Sequence, residues 1–322
     1  LMIKAPLILL GAPRSGTTLL FRALSQHREL WHLVAESHRI LEGPWHPERF
    51  SRFSNRPPED YQLTEATQKG LRADFYRGAV NYASAQSWKL RADFYRGPGQ
   101  RYLNRAVAAG IGRYSRGRKP ASLRLLEKTP QNAVRAKWMN ALFPKARFVR
   151  LVREAVPNIS SLYYGWKAND TLGKGRRGRY SKSGYPIMTQ LGLRDFGGSH
   201  WSFVLPPHWE GLRGGELLDV CAFQYFSSNY WMERDLTALL PERCLNIAYE
   251  DLIQQPLATV ERILDFAGLS PAAYDYRYLK SLPRINSVTV SEAEKKQTFL
   301  EIERKLKTFA LDTFFQTAEA RK

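Results

Sequence analysis

Residues 11–20 read GAPRSGTTLL and follow directly on the apolar run PLILL at 6–10. Gly11 and Gly16 stand at the spacing of a phosphate loop, in which successive backbone N–H groups and a helix N-terminus surround an anion. A Walker loop reads GxxxxGK[ST], and its lysine reaches the β- and γ-phosphates. Here Thr17 occupies the lysine's place. Arg14 offers a fork of donors to phosphate oxygens. Ser15, Gly16, Thr17 and Thr18 add N–H groups and hydroxyls. The loop is thus built to hold an anion, while its missing lysine argues against an ordinary ATP or GTP enzyme.

A second segment, RFVRLVREAVPNISSLYY at 147–164, has the outline of a strand ending at Arg153 and a helix carrying Ser161 eight residues later. An arginine at a strand end and a serine on the next helix converge on one point, and that point suits a second anion. Taken alone, such a pair is common in purely structural settings.

Both segments need a frame. The runs 6–10, 123–127, 146–152 and 244–248 are short and apolar, as parallel strands buried on both faces are. Helical patterns follow at 15–26, 131–143, 154–166 and 249–267. Two more occupy 215–240 and 291–315, the latter opening on Ser291 and Glu294 at capping-box spacing. This alternation predicts an α/β fold with a central parallel sheet. A single domain over 1–322 is expected, with a helical insertion at about 40–120. Within the insertion LRADFYRG occurs at 71–78 and again at 90–97, without the continuing period of a solenoid. Two basic, glycine-containing runs, 112–120 and 173–184, read as exposed loops. The second follows the Arg153 segment closely and is expected to act as a mobile anion-binding lid.

The 322 residues carry a formal charge of +19 and an apolar fraction of 43%. That balance excludes global disorder and points to an anionic partner without choosing among them. Two cysteines, Cys221 and Cys244, make no disulfide framework, so a reducing compartment is expected, and no apolar run reaches membrane-spanning length. His27, His32, His46, His200 and His208 show no metal-ligand spacing. Trp45, Trp201 and Trp209 lie in Pro- and Gly-rich stretches, and 199–211 is expected to help form an acceptor site.

PRSGTT after the first strand, then VR with a serine eight residues on, resembles the PAPS-dependent sulfotransferase family, PAPS being 3′-phosphoadenosine 5′-phosphosulfate. YEDLIQQP at 249–256, followed by a helix ending LDFAGL, is similar to a C-terminal block of these enzymes. The motif style is closest to bacterial and tyrosylprotein-type members. The resemblance implies a P-loop-kinase-like sheet. It implies a 5′-phosphosulfate loop at Arg14–Thr18 and a 3′-phosphate site at Arg153 and Ser161. It also implies sulfuryl transfer from PAPS to a hydroxyl or amine, with PAP (adenosine 3′,5′-bisphosphate) as product and no metal. Lys128, in LLEKTPQN, resembles the lysine that tyrosylprotein-type enzymes carry after the equivalent strand. It and Arg14 would face the charge developing on the leaving phosphate.

Many cytosolic members place a histidine base two residues after that lysine, where this chain has Pro130. AESHR at 35–39 instead resembles the EETR segment of the tyrosylprotein enzymes, with one extra residue before Arg39. Glu36 is then the expected general base and His38 its competitor. The implied partner is a small-molecule, glycan or lipid hydroxyl acceptor, with no nucleic acid, and the setting is cytoplasmic. The oligomeric state stays open. Two other readings compete. A metal-dependent kinase with a degenerate loop would need an Asp after a strand to hold Mg²⁺. A non-catalytic nucleic-acid-binding protein would use the basic loops and show a steep salt dependence.

Overall fold

A computed structural model describes residues 2–33, 36–45, 54–59, 61–80, 122–175, 185–239, 241–281 and 290–313. The basic run at 112–120, the second LRADFYRG and residues 176–184 lie outside the described residues.

Leu7–Leu10 form strand β2, and all four side chains are at most 1% exposed. Alternation sends Leu7 and Leu9 into one apolar cluster and Ile8 and Leu10 into another, so both faces of the strand are covered. On one side β2 pairs with β4 (Ser122–Lys128), Leu7 opposite Leu126 and Leu9 opposite Lys128. On the other it pairs with β5 (Arg147–Val152), Leu10 opposite Arg150. Beyond β5 lies β6 (Cys244–Ala248), while β1 (Met2–Ile3) and β3 (Leu30–His32) both pair with β4. All pairings are parallel. The fold is therefore α/β with a central parallel sheet, and β2 is an inner strand whose C-terminal end opens between those of β4 and β5. In open parallel sheets that edge is where ligands bind.

One face is covered by α1 (Thr17–Leu24), α7 (Tyr249–Gln254) and α8 (Pro256–Ala267), which contribute Leu20, Leu252 and Ile263. The other is covered by α3 (Glu65–Val80) and α4 (Ala136–Leu142), through Phe75, Met139 and Leu142. The first LRADFYRG lies within α3, where Leu71, Phe75 and Tyr76 are buried. A further cluster joins α5 (Ala155–Gly175) to α6 (Leu217–Thr237). Two more helices are α2 (His38–Trp45) and α9 (Glu292–Leu306). Ser291 caps α9, its hydroxyl accepting from the Glu294 N–H at 3.2 Å.

Several helix boundaries differ from the sequence expectation, each for a local reason. The expected 249–267 helix is two helices, because Pro256 has no N–H and forces Gln255 out of the α region, to φ −134. The expected 131–143 helix is a short 3₁₀ turn (Pro130–Val134) and then α4, with Arg135 between them at φ −139. The helix expected to end at 166 runs on to Gly175, so 173–175, assigned to the lid, are helical. Cys221 and Cys244 are free thiols. No helix among the described residues is long and apolar enough to cross a membrane.

Candidate active site

The loop between β2 and α1 turns on two glycines. A Cβ at Gly11 would lie 2.4 Å from Ser15 Oγ and 2.9 Å from the Leu151 carbonyl oxygen. Gly16 sits at φ +97 as the N-cap of α1, and a Cβ there would run into the Tyr249 ring at 2.4 Å. Arg14 also takes a left-handed conformation, φ 71, which non-glycine residues hold only when their surroundings enforce it. The enforcement is on both sides of the residue. Arg153 donates to the Arg14 carbonyl at 3.1 Å, and the Ser15 N–H donates to the Ala12 carbonyl at 3.1 Å. The Asn158 amide, in the orientation that satisfies both of its ends, donates to the Pro13 carbonyl at 3.0 Å.

Arg14, Ser161 and Arg153 come together at this edge. Arg14 Nε donates to Ser161 Oγ at 3.2 Å. Burial, and then the nearby Arg153 charge, hold the Arg14 guanidinium below its ordinary value. Arg153 stacks over the Tyr249 ring at 4.6 Å, and Tyr225 donates to its carbonyl at 2.8 Å. Among the described residues, Ser15 Oγ and Arg153 Nε are buried without a hydrogen-bond partner. Two guanidinium groups beside unmet donors and a helix N-terminus concentrate positive potential in one place. Thr17 is packed inward, while Thr18 is exposed at the first turn of α1.

The second group gathers at the end of β4. Lys128 Nζ lies 2.5 Å from Glu36 Oε1, and His38 Nε2 lies 2.8 Å from Glu36 Oε2. Both candidate bases are thus in one ion-paired cluster with the lysine. Burial alone would raise the Glu36 carboxyl, but Lys128 and His38 outweigh it and bring it down to about 2. Burial would lower His38, yet Glu36 and Glu42 raise it to about 9. The loop carrying Glu36 is fastened to β4 from beneath. The Ser37 N–H donates to Thr129 Oγ1 at 2.8 Å, and the Ser37 hydroxyl donates to Glu127 Oε1 at 2.7 Å. Thr129 and Asn132 donate to the same carboxylate oxygen, at 2.7 and 3.2 Å. Glu127 is fully buried, and burial first of all pushes its carboxyl up.

Within residues 199–211 the two tryptophans are buried, while Phe203 is only partly buried. Trp201 is 0% and Trp209 2% exposed, and both pack in the cluster that holds Trp166. The side chains of Trp45 and Arg39 lie outside the described residues. Leu205 exchanges hydrogen bonds with Asn55, whose amide donates to Tyr185 OH at 2.5 Å. Tyr249, Asn158, Tyr225 and Glu42 were not singled out in the sequence. Tyr249 opens the YEDLIQQP block and was legible as part of a motif, but nothing local says that its ring meets Gly16. Among the described residues no group of three or more His, Cys, Asp or Glu is placed to hold a metal ion.

The family model described as the sulfotransferase family matches residues 6–182 and 210–273. No curated protein matches the chain. Among solved structures, a sulfotransferase domain from the curacin biosynthetic pathway is 19% identical, with 95% of this chain and 99% of that one covered and a TM-score of 0.42. Sulfotransferase STF9 from Mycobacterium avium is 16% identical over 96% of this chain and 78% of that one, at a TM-score of 0.45. A sulfotransferase from Alicyclobacillus acidocaldarius is 14% identical over 96% and 98%, at a TM-score of 0.42. With its family model spanning both the phosphate loop and the C-terminal block, this chain belongs to the sulfotransferase family.

Proposed function

We propose that the chain transfers a sulfuryl group from PAPS to an acceptor hydroxyl or amine and releases PAP. The observation that carries the reading is the convergence of Arg14, Arg153 and Ser161 on the glycine loop, where Ser15 Oγ and Arg153 Nε are buried and unmet. Those donors suit the phosphates of a nucleotide bisphosphate, and the close approach of backbone at Gly11 and Gly16 suits an anion at the helix N-terminus. When bound, PAPS supplies the activated sulfuryl group.

The chain's own groups divide the remaining work. Arg14 and the N–H groups of Ser15–Thr18 orient the 5′ end, and Arg153 with Ser161 select a 3′-phosphate. Lys128 neutralises charge on the leaving phosphate, a role worth most when the cation is preorganised. In doing so it leaves Glu36 Oε1, which is then free to accept the acceptor's proton. Acceptors are taken to be small-molecule, glycan or lipid alcohols. Residues 1–322 are taken as one domain with an insertion at 40–120, and the two free thiols accord with a cytoplasmic setting.

Calorimetry with PAP tests the nucleotide site. Incubating acceptor pools with radiosulfur-labelled PAPS tests the reaction. PAP binding together with a labelled product is expected. No PAP binding and no labelled product from any pool would overturn the reading.

A further inference from the structure

Glu42 lies four residues after His38, one turn along α2. A surface pair at this spacing contributes little and is held loosely. Glu42 is held by much more. His38 Nδ1 is 3.6 Å from Glu42 Oε1. Tyr185 OH donates to the same oxygen at 3.0 Å, and Asn55 Nδ2 donates to it at 3.4 Å. Arg135 Nη2 stands 3.8 Å away. Four groups from four separate parts of the chain thus converge on one carboxylate oxygen. Arg135 is 0% exposed, and its Nε is engaged by Asn132 Oδ1 at 3.1 Å. Among the described residues both of its terminal nitrogens lack a hydrogen-bond partner, a costly arrangement for a buried cation. The carboxylate paired with it is Glu42, so the buried cation and that carboxylate hold each other in place.

We infer that Glu42 is a positioning residue that clamps His38 against Glu36, so that the two carboxylates and the imidazole act as one unit in sulfuryl transfer. The inference rests on the proposed function for its meaning in catalysis. Each ring nitrogen of His38 faces a carboxylate, Nε2 toward Glu36 and Nδ1 toward Glu42. A ring so placed carries a proton on both nitrogens and has no lone pair to accept another. His38 is then the orienting cation and Glu36 the base. Lys128 and His38 each hold one Glu36 oxygen, and only the lysine's is given up when the donor is bound. The groups facing the imidazole are Glu36 from the preceding loop and Glu42 from its own helix. Lys128 acts on it through Glu36, and Arg135 and Tyr185 act through Glu42.

The test is the variant Glu42→Gln in the full chain, with Glu42→Asp beside it. Nitrogen-detected NMR of the imidazoles follows His38 without any turnover. Glu36 and Glu42 raise His38 to about 9 in the wild type, and in Glu42→Gln it is expected to fall toward the ordinary value of about 6.5. Glu42→Asp lies between them. With an acceptor in hand, wild-type kcat is flat from about pH 6 to 8. Glu42→Gln loses about tenfold, as outer groups that orient a functional histidine do. That loss grows with pH, while KM for PAPS and the affinity for PAP stay unchanged.

An unchanged His38 titration with an unchanged pH profile would overturn the inference. So would a uniform loss explained by lower stability alone. If Glu42→Gln fails to fold, Tyr185→Phe removes one bond to Glu42 and should move His38 in the same direction by less; no movement there also overturns it. The proposed function fails separately, through absent PAP binding and absent product.

Discussion

The two ends of the central sheet both gather arginines, and they treat them in opposite ways. At the N-terminal ends of the strands, Arg124 on β4 and Arg147 on β5 donate to the carbonyls of Ala267 and Phe266 at the end of α8. Arg147 also lies 5.7 Å over the Phe266 ring. The negative end of a helix takes up these guanidinium groups, which serve as its C-terminal caps. At the C-terminal ends, Arg14 and Arg153 face the positive end of α1, where the helix adds to their charge. Like charges are collected there at a cost in stability. The same side chain is a fastening where the dipole opposes it and, on the proposed function, a binding group where the dipole reinforces it.

Substitutions at the two ends should separate cleanly, and the largest effect belongs to the reacting groups. Glu36→Gln keeps the shape of the side chain but accepts no proton, and turnover should fall about 10²–10⁴-fold with PAP affinity retained. Lys128→Ala should lose a comparable factor. Full activity in Glu36→Gln beside an inactive His38→Ala would reverse the roles given to these two residues.

Next in size is the proposed phosphate site. Arg153→Ala should weaken PAP binding by about 1.5–3 kcal/mol, the range of a hydrogen bond to a charged group. Calorimetry reads this directly, and unchanged affinity would remove Arg153 from the nucleotide site. The opposite end predicts the complement. Arg147→Ala should cost about 1 kcal/mol in urea denaturation and leave PAP affinity untouched. Weakened PAP binding in Arg147→Ala would erase the contrast between the two ends.

A further effect is on the pH dependence of stability. Glu36 is lowered on folding from 4.5 to about 2, so its contribution is complete above 4.5 and is lost as pH falls toward 2. His38 is raised from 6.5 to about 9, so its contribution is complete below 6.5 and is lost as pH rises through 9. Urea midpoints of Glu36→Gln and His38→Gln against pH should each flatten in the matching window. A wild-type slope in both variants would show that the cluster is not coupled to folding.

The frame was legible because parallel strands announce themselves as continuous apolar runs. Leu7–Leu10, Ser122–Lys128, Arg147–Val152 and Cys244–Ala248 fall within a residue or so of the runs read from sequence. Pro256 was a legible break that a continuous apolar pattern obscured. The spacing of Arg153 and Ser161 anticipated their meeting at Arg14, since both lie on one strand–helix unit. The Glu42 clamp was not legible. Its members, at 38, 42, 55, 135 and 185, meet only through tertiary packing. Arg135 looked like an ordinary residue of an amphipathic helix, because nothing local marks a turn that breaks there. The contact of Gly16 with Tyr249 was hidden for the same reason.

The inner position of β2 also bears on how the site comes into being. Its loop follows residue 10, its lysine ends β4 at 128, its second arginine follows β5, and the ring against Gly16 comes from 249. These parts meet only when distant stretches of chain have paired, and such pairings are slow because loop closure precedes any gain in contacts. A fragment ending before Tyr249 lacks the ring that packs against Gly16, however well its local helices form. On the proposed function, recovery of PAP binding during refolding is expected to be a late event that reports the completed sheet rather than its pieces.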